Sequence, residues 1–159
     1  GKSTNHAYEL IVNLYRLVPK SLKTNLKRSL GFTLNILKRK SIIILISDFI
    51  AVDYEKNLRA MSNKHDLVVI HLRDQRETNF PRLGIIPIFD KETQKTIWVN
   101  TSSSRFRKNI NNDFDENKSR LLHLCRKYQA DYLPVYTNED YIPSLIKLFK
   151  VRKVKGIRN

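Results

Sequence analysis

Asp48 closes the run Ser41-Ile42-Ile43-Ile44-Leu45-Ile46-Ser47-Asp48-Phe49 and is the residue best placed for chemistry. Five consecutive branched aliphatics between polar residues predict a strand buried on both faces, as in the parallel sheets of α/β folds. Ligands of such folds bind just beyond the carboxyl ends of the strands. A carboxylate there, with Ser47 beside it and Thr24 upstream, offers the oxygen donors that Mg²⁺ takes in near-octahedral geometry. The competing role is structural: Asp is a preferred cap for a following turn or helix, and residue type alone favours the cap.

The other reactive side chains form no comparable set. Gly1-Lys2-Ser3-Thr4 looks like the tail of a phosphate-binding loop, but that signature also requires an earlier glycine and a preceding strand. His6, His65, His71 and His123 do not pair at metal-ligand spacing, and each reads as a satisfied or solvated histidine. Cys125 falls on the inward side of a predicted helix and reads as a small apolar filler. No Ser, His and Asp set announces a hydrolase, and a general-base role for Asp48 has only its position in favour.

The elements that must position these residues follow from periodicity. Asn5 to Val18 places Tyr8, Ile11, Val12, Tyr15 and Val18 on one helical face, ended by Pro19. Thr24 to Lys38 repeats the pattern with Leu26, Leu30, Leu34 and Leu37, Thr24 serving as N-cap. After the Ile42 to Ile46 strand, Asp53 caps a short helix to about Lys64, with Leu58 and Met61 inward. Leu67 to Leu72 then forms a second buried strand, completing a right-handed βαβ unit. Ile85 to Phe89 and Thr96 to Val99 read as a hairpin, and Arg105 to Tyr128 as a long helix. Tyr132 to Tyr136 is a third strand, which Pro134 places near an edge. Thr137-Asn138-Glu139-Asp140 resembles a capping box for a last helix that buries Ile142, Leu145, Ile146 and Phe149. Residues 1–150 thus read as one domain and 151–159 as a basic tail. Two helices precede the first strand, so the sheet is expected to lack its front strand.

Composition narrows the class. The chain has 159 residues, 41% apolar, with one cysteine, so disorder and a disulfide scaffold are both excluded. A reducing, cytoplasmic setting fits best. The longest apolar run falls well short of the roughly 20 residues that cross a bilayer. The absent initiator Met predicts a piece of a longer protein. Thirty Lys and Arg against 15 Asp and Glu leave a net charge of +15, which attracts nucleic acid, anionic lipid or an acidic partner without choosing among them.

Several ordered motifs together resemble a bacterial family of von Willebrand factor A-like proteins, domain of unknown function fifty-eight. They are Ser41 to Phe49, Lys64-His65-Asp66-Leu67-Val68-Val69, Asp74-Gln75-Arg76-Glu77 with Pro81 and Gly84, Trp98-Val99-Asn100-Thr101-Ser102, and Thr137 to Asp140. The similarity runs from about Gly1 to Phe149. It implies a Rossmann-like α/β sheet with helices on both faces. It also implies a divalent metal at the top of the sheet, held by an Asp-x-Ser-x-Ser motif, a Thr and an Asp. Thr24 falls at the threonine position and Asp48 at the final aspartate position. The Asp-x-Ser-x-Ser motif is missing from this sequence, and Lys23-Thr24-Asn25 stands where members usually read Gly-Thr-Asp. A Mg²⁺ site built from Thr24 and Asp48 alone is therefore expected to be weak.

The family is not known as an enzyme family and tends to be encoded beside AAA-type ATPases of the MoxR group. The resemblance thus implies a non-enzymatic protein-interaction module with such an ATPase as partner. The charge supports the alternative, a basic nucleic-acid or anionic-surface binding protein. That alternative lacks a zinc finger, a ribonucleoprotein aromatic motif or a helix-turn-helix.

Overall fold

A computed structural model describes residues 3–18, 24–51, 53–77, 81–90 and 94–154. Pro19, the hairpin turn at residues 91–93, residues 1–2 of the phosphate-loop-like stretch and the tail beyond Val154 lie outside them. The order is α1 (Thr4–Arg16), α2 (Leu26–Ile36), β1 (Ile42–Ser47), α3 (Glu55–Lys64), β2 (Asp66–Arg73), a 3₁₀ turn (Gln75–Glu77), β3 (Ile85–Asp90), β4 (Lys95–Asn100), α4 (Ser104–Lys127), β5 (Asp131–Tyr136) and α5 (Ile142–Val154).

Three strands form a parallel sheet in the order β1-β2-β5, with Ile43 beside Leu67, Leu45 beside Val69, and Val69 beside Tyr132. The mixed α/β fold expected from the sequence is present, and β5 is an edge strand as Pro134 implied. One face of the sheet carries the core. There Leu26 and Leu30 of α2, Leu58 and Met61 of α3, and Leu121, Leu124 and Cys125 of α4 pack with Leu67 and Val69. The side chains of Asn57 and Lys64 on α3 donate to the carbonyls of Lys27 and Leu34 on α2, which aligns the two helices in parallel. The opposite face is met by α5, whose Arg152 pairs with both Asp66 of β2 and Asp131 of β5.

The helix ends differ from expectation in detail. Asn25, not Thr24, caps α2, because its Oδ1 accepts the Arg28 amide at 2.8 Å. Tyr54, not Asp53, stands at the N-cap of α3 and makes no side-chain cap bond. Asp53 instead takes a left-handed backbone, φ 61°. Thr137 to Asp140 form a turn, and Asp140 alone caps α5 through the Ile142 amide at 3.0 Å. Helix α5 continues to Val154, past the point where the sequence suggested a tail.

Two burial expectations fail for one reason. Strand β1 is not buried on both faces, since Ile43 and Leu45 enter the core while Ile42, Ile44 and Ile46 face outward and are exposed. On α5, Ile142, Ile146 and Phe149 are exposed as well. A run of aliphatics reports that a face can be buried, but an edge strand is buried only where another layer lies over it. On β2, the central strand, both faces are covered: Val68 and Ile70 are buried along with Leu67 and Val69.

Candidate functional site

At the carboxyl end of the sheet, β1 gives way to Ser47, Asp48 and Phe49. Phe49 is fully buried yet holds φ 56°, the left-handed region that costs a bulky residue roughly 1–2 kcal/mol. Several bonds hold it there. Ser47 Oγ accepts the Phe49 amide at 3.1 Å, and Asp48 Oδ1 receives the Ser47 hydroxyl at 3.3 Å and the Ile50 amide at 3.4 Å. The Asp48 carbonyl accepts from His71 Nε2 at 3.1 Å and from Asn117 Nδ2 on α4 at 3.4 Å. A strained turn with this many supports is over-determined by its surroundings.

His71 is the hinge of this arrangement. Because a carbonyl only accepts, Nε2 carries a proton, and in the neutral ring Nδ1 accepts from the Tyr132 hydroxyl 2.9 Å away. Burial keeps the imidazole neutral. Burial, followed by the nearby Arg73 cation, lowers its pKa to about 4, opposed by the Asp48 carbonyl. Tyr132 is pushed up to about 12 by burial. The histidine orients the Asp48 loop and has no nitrogen left for a metal or a proton shuttle.

Two residues further along the same face of β2 lies Arg73, only 4% exposed. Its guanidinium sits 3.9 Å from the centre of the Phe114 ring and 5.6 Å from that of Tyr136, with Asp115 at 3.9 Å. Stacking between aromatic faces suits a weakly hydrated, delocalised cation. Glu77, in the 3₁₀ turn, has its pKa raised by partial burial and then by the carboxylates of Asp74 and Asp48. Beside them opens a groove of about 800 Å³, lined by Ile50, Glu77, Ile110, Phe114, Asn117 and Arg120. A second cleft of about 460 Å³ lies between Asp74–Arg76 and Thr137–Asn138.

The two residues singled out for metal binding fare differently. Asp48 is at the sheet's carboxyl end and exposed, as its place in the sequence suggested. Thr24 precedes α2, which enters from the same end of the sheet, but no hydrogen bond joins it to Asp48 among the described residues. Asp48 Oδ1 is already turned into its own loop. Among the described residues no three His, Cys, Asp or Glu side chains gather as a metal site. Two oxygen donors would leave most of the six positions of Mg²⁺ to water, the incomplete site that the sequence implied.

Sequence reasoning missed Arg73 and gave His71 no part in the site. The signal was the alternation of Val69, His71 and Arg73, which puts two polar side chains on the core face of a buried strand. Cys125 is buried, and burial lifts its thiol to about 12, in keeping with a filler. His123 is exposed.

The family motifs map onto the joints of this end of the molecule. Asp74 caps the 3₁₀ turn through the Arg76 amide at 2.9 Å. Gly84 and Thr101-Ser102 close the neck of the β3–β4 hairpin: Thr101 Oγ1 donates to the Gly84 carbonyl and accepts the Leu83 amide, while Ser102 Oγ accepts the Gly84 amide. Gly84 has φ 72°, a conformation that disfavours a side chain.

An uncharacterized protein of Mycobacterium avium, MAV169, is 23% identical over 117 residues, which span 73% of this chain and 69% of that protein. No solved structure matches the chain. The family model described as "Protein of unknown function DUF58" matches residues 1–120, a span that holds Asp48, His71, Arg73 and the hairpin neck. With well over half of its residues matched, the chain belongs to that family.

Proposed function

We propose that this chain is a non-enzymatic protein-interaction module of the von Willebrand A-like kind, which binds its partner at the carboxyl end of the sheet. The observation that carries the reading is the exposed Asp48 carboxylate on a loop fixed by His71 and Asn117, beside the 800 Å³ groove. A preset acidic group next to apolar Ile50, Ile110 and Phe114 suits a partner segment that brings one cation and one apolar side chain. The family resemblance names the partner class, an AAA-type ATPase of the MoxR group. Reactive groups at this end support a binding role over a catalytic one, since both nitrogens of His71 are engaged. Magnesium enters this proposal only as a weak, water-rich guest of Asp48 and Thr24.

The test is association of the chain with a MoxR-group ATPase by analytical ultracentrifugation, with and without Mg²⁺. Asp48→Arg and Glu77→Arg should each weaken the complex at least tenfold. Glu77→Arg should leave the melting temperature near that of the parent. Asp48→Arg, which gives up the Oδ1 bonds of its loop, is read beside Asp48→Asn, which keeps an oxygen there. Asp48→Ala should also abolish whatever heat Mg²⁺ gives by calorimetry. A complex indifferent to both charge reversals overturns the assignment of this surface.

A further inference from the structure

The β3–β4 hairpin is a separate two-stranded sheet, outside the β1-β2-β5 sheet and outside the core. Its register places Pro87 opposite Trp98, so Ile85, Pro87, Phe89 and Trp98 share one face. That face is uncovered: Ile85 is 67% exposed, Phe89 54% and Trp98 69%, with Leu83 at 62% at its foot. A two-stranded hairpin alone is marginal in water, and among the described residues no layer covers the apolar face of this one. The neck bonds of Thr101 and Ser102 to Leu83 and Gly84 nevertheless hold it as a defined projection. A contiguous apolar patch of this kind marks a contact surface.

We infer that the hairpin docks on an anionic lipid surface, dipping Ile85, Phe89 and Trp98 into the headgroup region. Charge complementarity, taken together with the apolar face and its tryptophan, identifies the occupant. Exposed Arg82 adjoins Leu83 at the foot of the patch, on a chain of net charge +15. Basic side chains near a membrane of anionic lipid each add about 1 kcal/mol. Tryptophan favours the boundary between headgroups and acyl chains, where an amphipathic ring is half solvated. The shape agrees: a six-residue hairpin is about 20 Å long and offers a ridge to a layer. No helix among the described residues is long and apolar enough to cross a membrane, so the contact is interfacial. This inference is independent of Asp48 and of the groove beside it.

Trp98 is the sole tryptophan of the chain, so its fluorescence reports the hairpin alone. Titration with phosphatidylcholine vesicles containing phosphatidylserine should shift its emission to the blue, and brominated acyl chains should quench it. Pure phosphatidylcholine should do neither to a comparable extent. Phe89→Ser should weaken vesicle binding about tenfold, as expected for one lost buried aromatic. Arg82→Glu should weaken it by fivefold or more, since one basic contact is removed and a repulsion added. Both substitutions fall on exposed side chains, and circular dichroism should find the fold unchanged. Failure to bind anionic vesicles overturns the inference and leaves the ridge to a protein partner. Binding with Trp98 emission unmoved, or unaffected by Phe89→Ser, also overturns it, because the contact then belongs to the charge of the body.

Discussion

His71 Nε2 lies 3.1 Å from the carbonyl oxygen of Asp48, so the central strand holds the loop by which the edge strand leaves the sheet. The same ring accepts from Tyr132 on the other edge strand. One neutral imidazole thereby ties all three strands together at the end where ligands of such sheets bind.

Replacing that ring should be costly. His71→Phe leaves the Asp48 carbonyl with the long Asn117 bond only and the Tyr132 hydroxyl without its acceptor, a loss of about 2–3 kcal/mol by the cost of orphaned buried polar groups. Urea denaturation should report it. A loss below a few tenths would show that the Phe49 turn is held without the histidine.

Acid should weaken the fold through the same residue. His71 titrates near 4 in the folded state against 6.5 ordinarily, so the unfolded chain binds the proton more readily. Stability from this group is complete above pH 6.5 and declines as the pH falls, until it is gone below about 4. The slope between approaches about 1.4 kcal/mol per pH unit. His65, lowered mainly by burial, adds a decline of the same sign. In His71→Gln the melting temperature should fall less steeply across that window than in the parent, and an unchanged slope would count against the assignment.

Arg73 offers a test of shape against charge. Arg73→Lys keeps the cation but loses the planar stack on Phe114 and Tyr136, and should cost about 1–2 kcal/mol. Arg73→Ala removes packing as well and should cost more. Equal stability of the lysine variant and the parent would show that charge alone matters there.

Arg152 joins α5 to two strands at once through Asp66 and Asp131. Arg152→Ala should destabilise the fold by about 1–2 kcal/mol, above an ordinary surface pair because one guanidinium serves two carboxylates in a partly buried position. Hydrogen exchange should quicken chiefly in residues 142–154, since the exposed apolar side chains of α5 leave it little other hold. Uniform quickening across the sheet would point to a global loss instead.

Thr101 tests the hairpin neck. It is fully buried, and its hydroxyl both gives and receives a hydrogen bond across the two strands. Thr101→Val keeps the volume but removes both hydroxyl bonds, leaving the Leu83 amide only the Pro81 carbonyl, at a cost of about 1 kcal/mol confined to the hairpin. Amide exchange in residues 83–101 should rise while β2 stays protected.

The order of elements was legible in the sequence because periodicity is a local property. The 3.6-residue spacing of Leu26 and Leu30, the spacing of Leu121, Leu124 and Cys125, and the unbroken Leu67 to Ile70 run each record which side of an element meets the core. Asp48 at the end of its strand was legible for the same reason. What covers an element is not local. Ile42, Ile44 and Ile46 read like Val68 and Ile70, yet only the latter are buried, because β2 is central and β1 is an edge. Nor could the sequence link Asp48 to His71 and His71 to Tyr132, since partners 23 and 61 positions apart meet only after parallel strands are stacked in register. The sequence alone therefore determined a three-stranded α/β sheet with an acidic residue at its carboxyl end and a strongly basic composition. Tertiary structure decided that the acid stands on a loop clamped by a neutral histidine, and that a ridge bearing the only tryptophan is left for something else to cover.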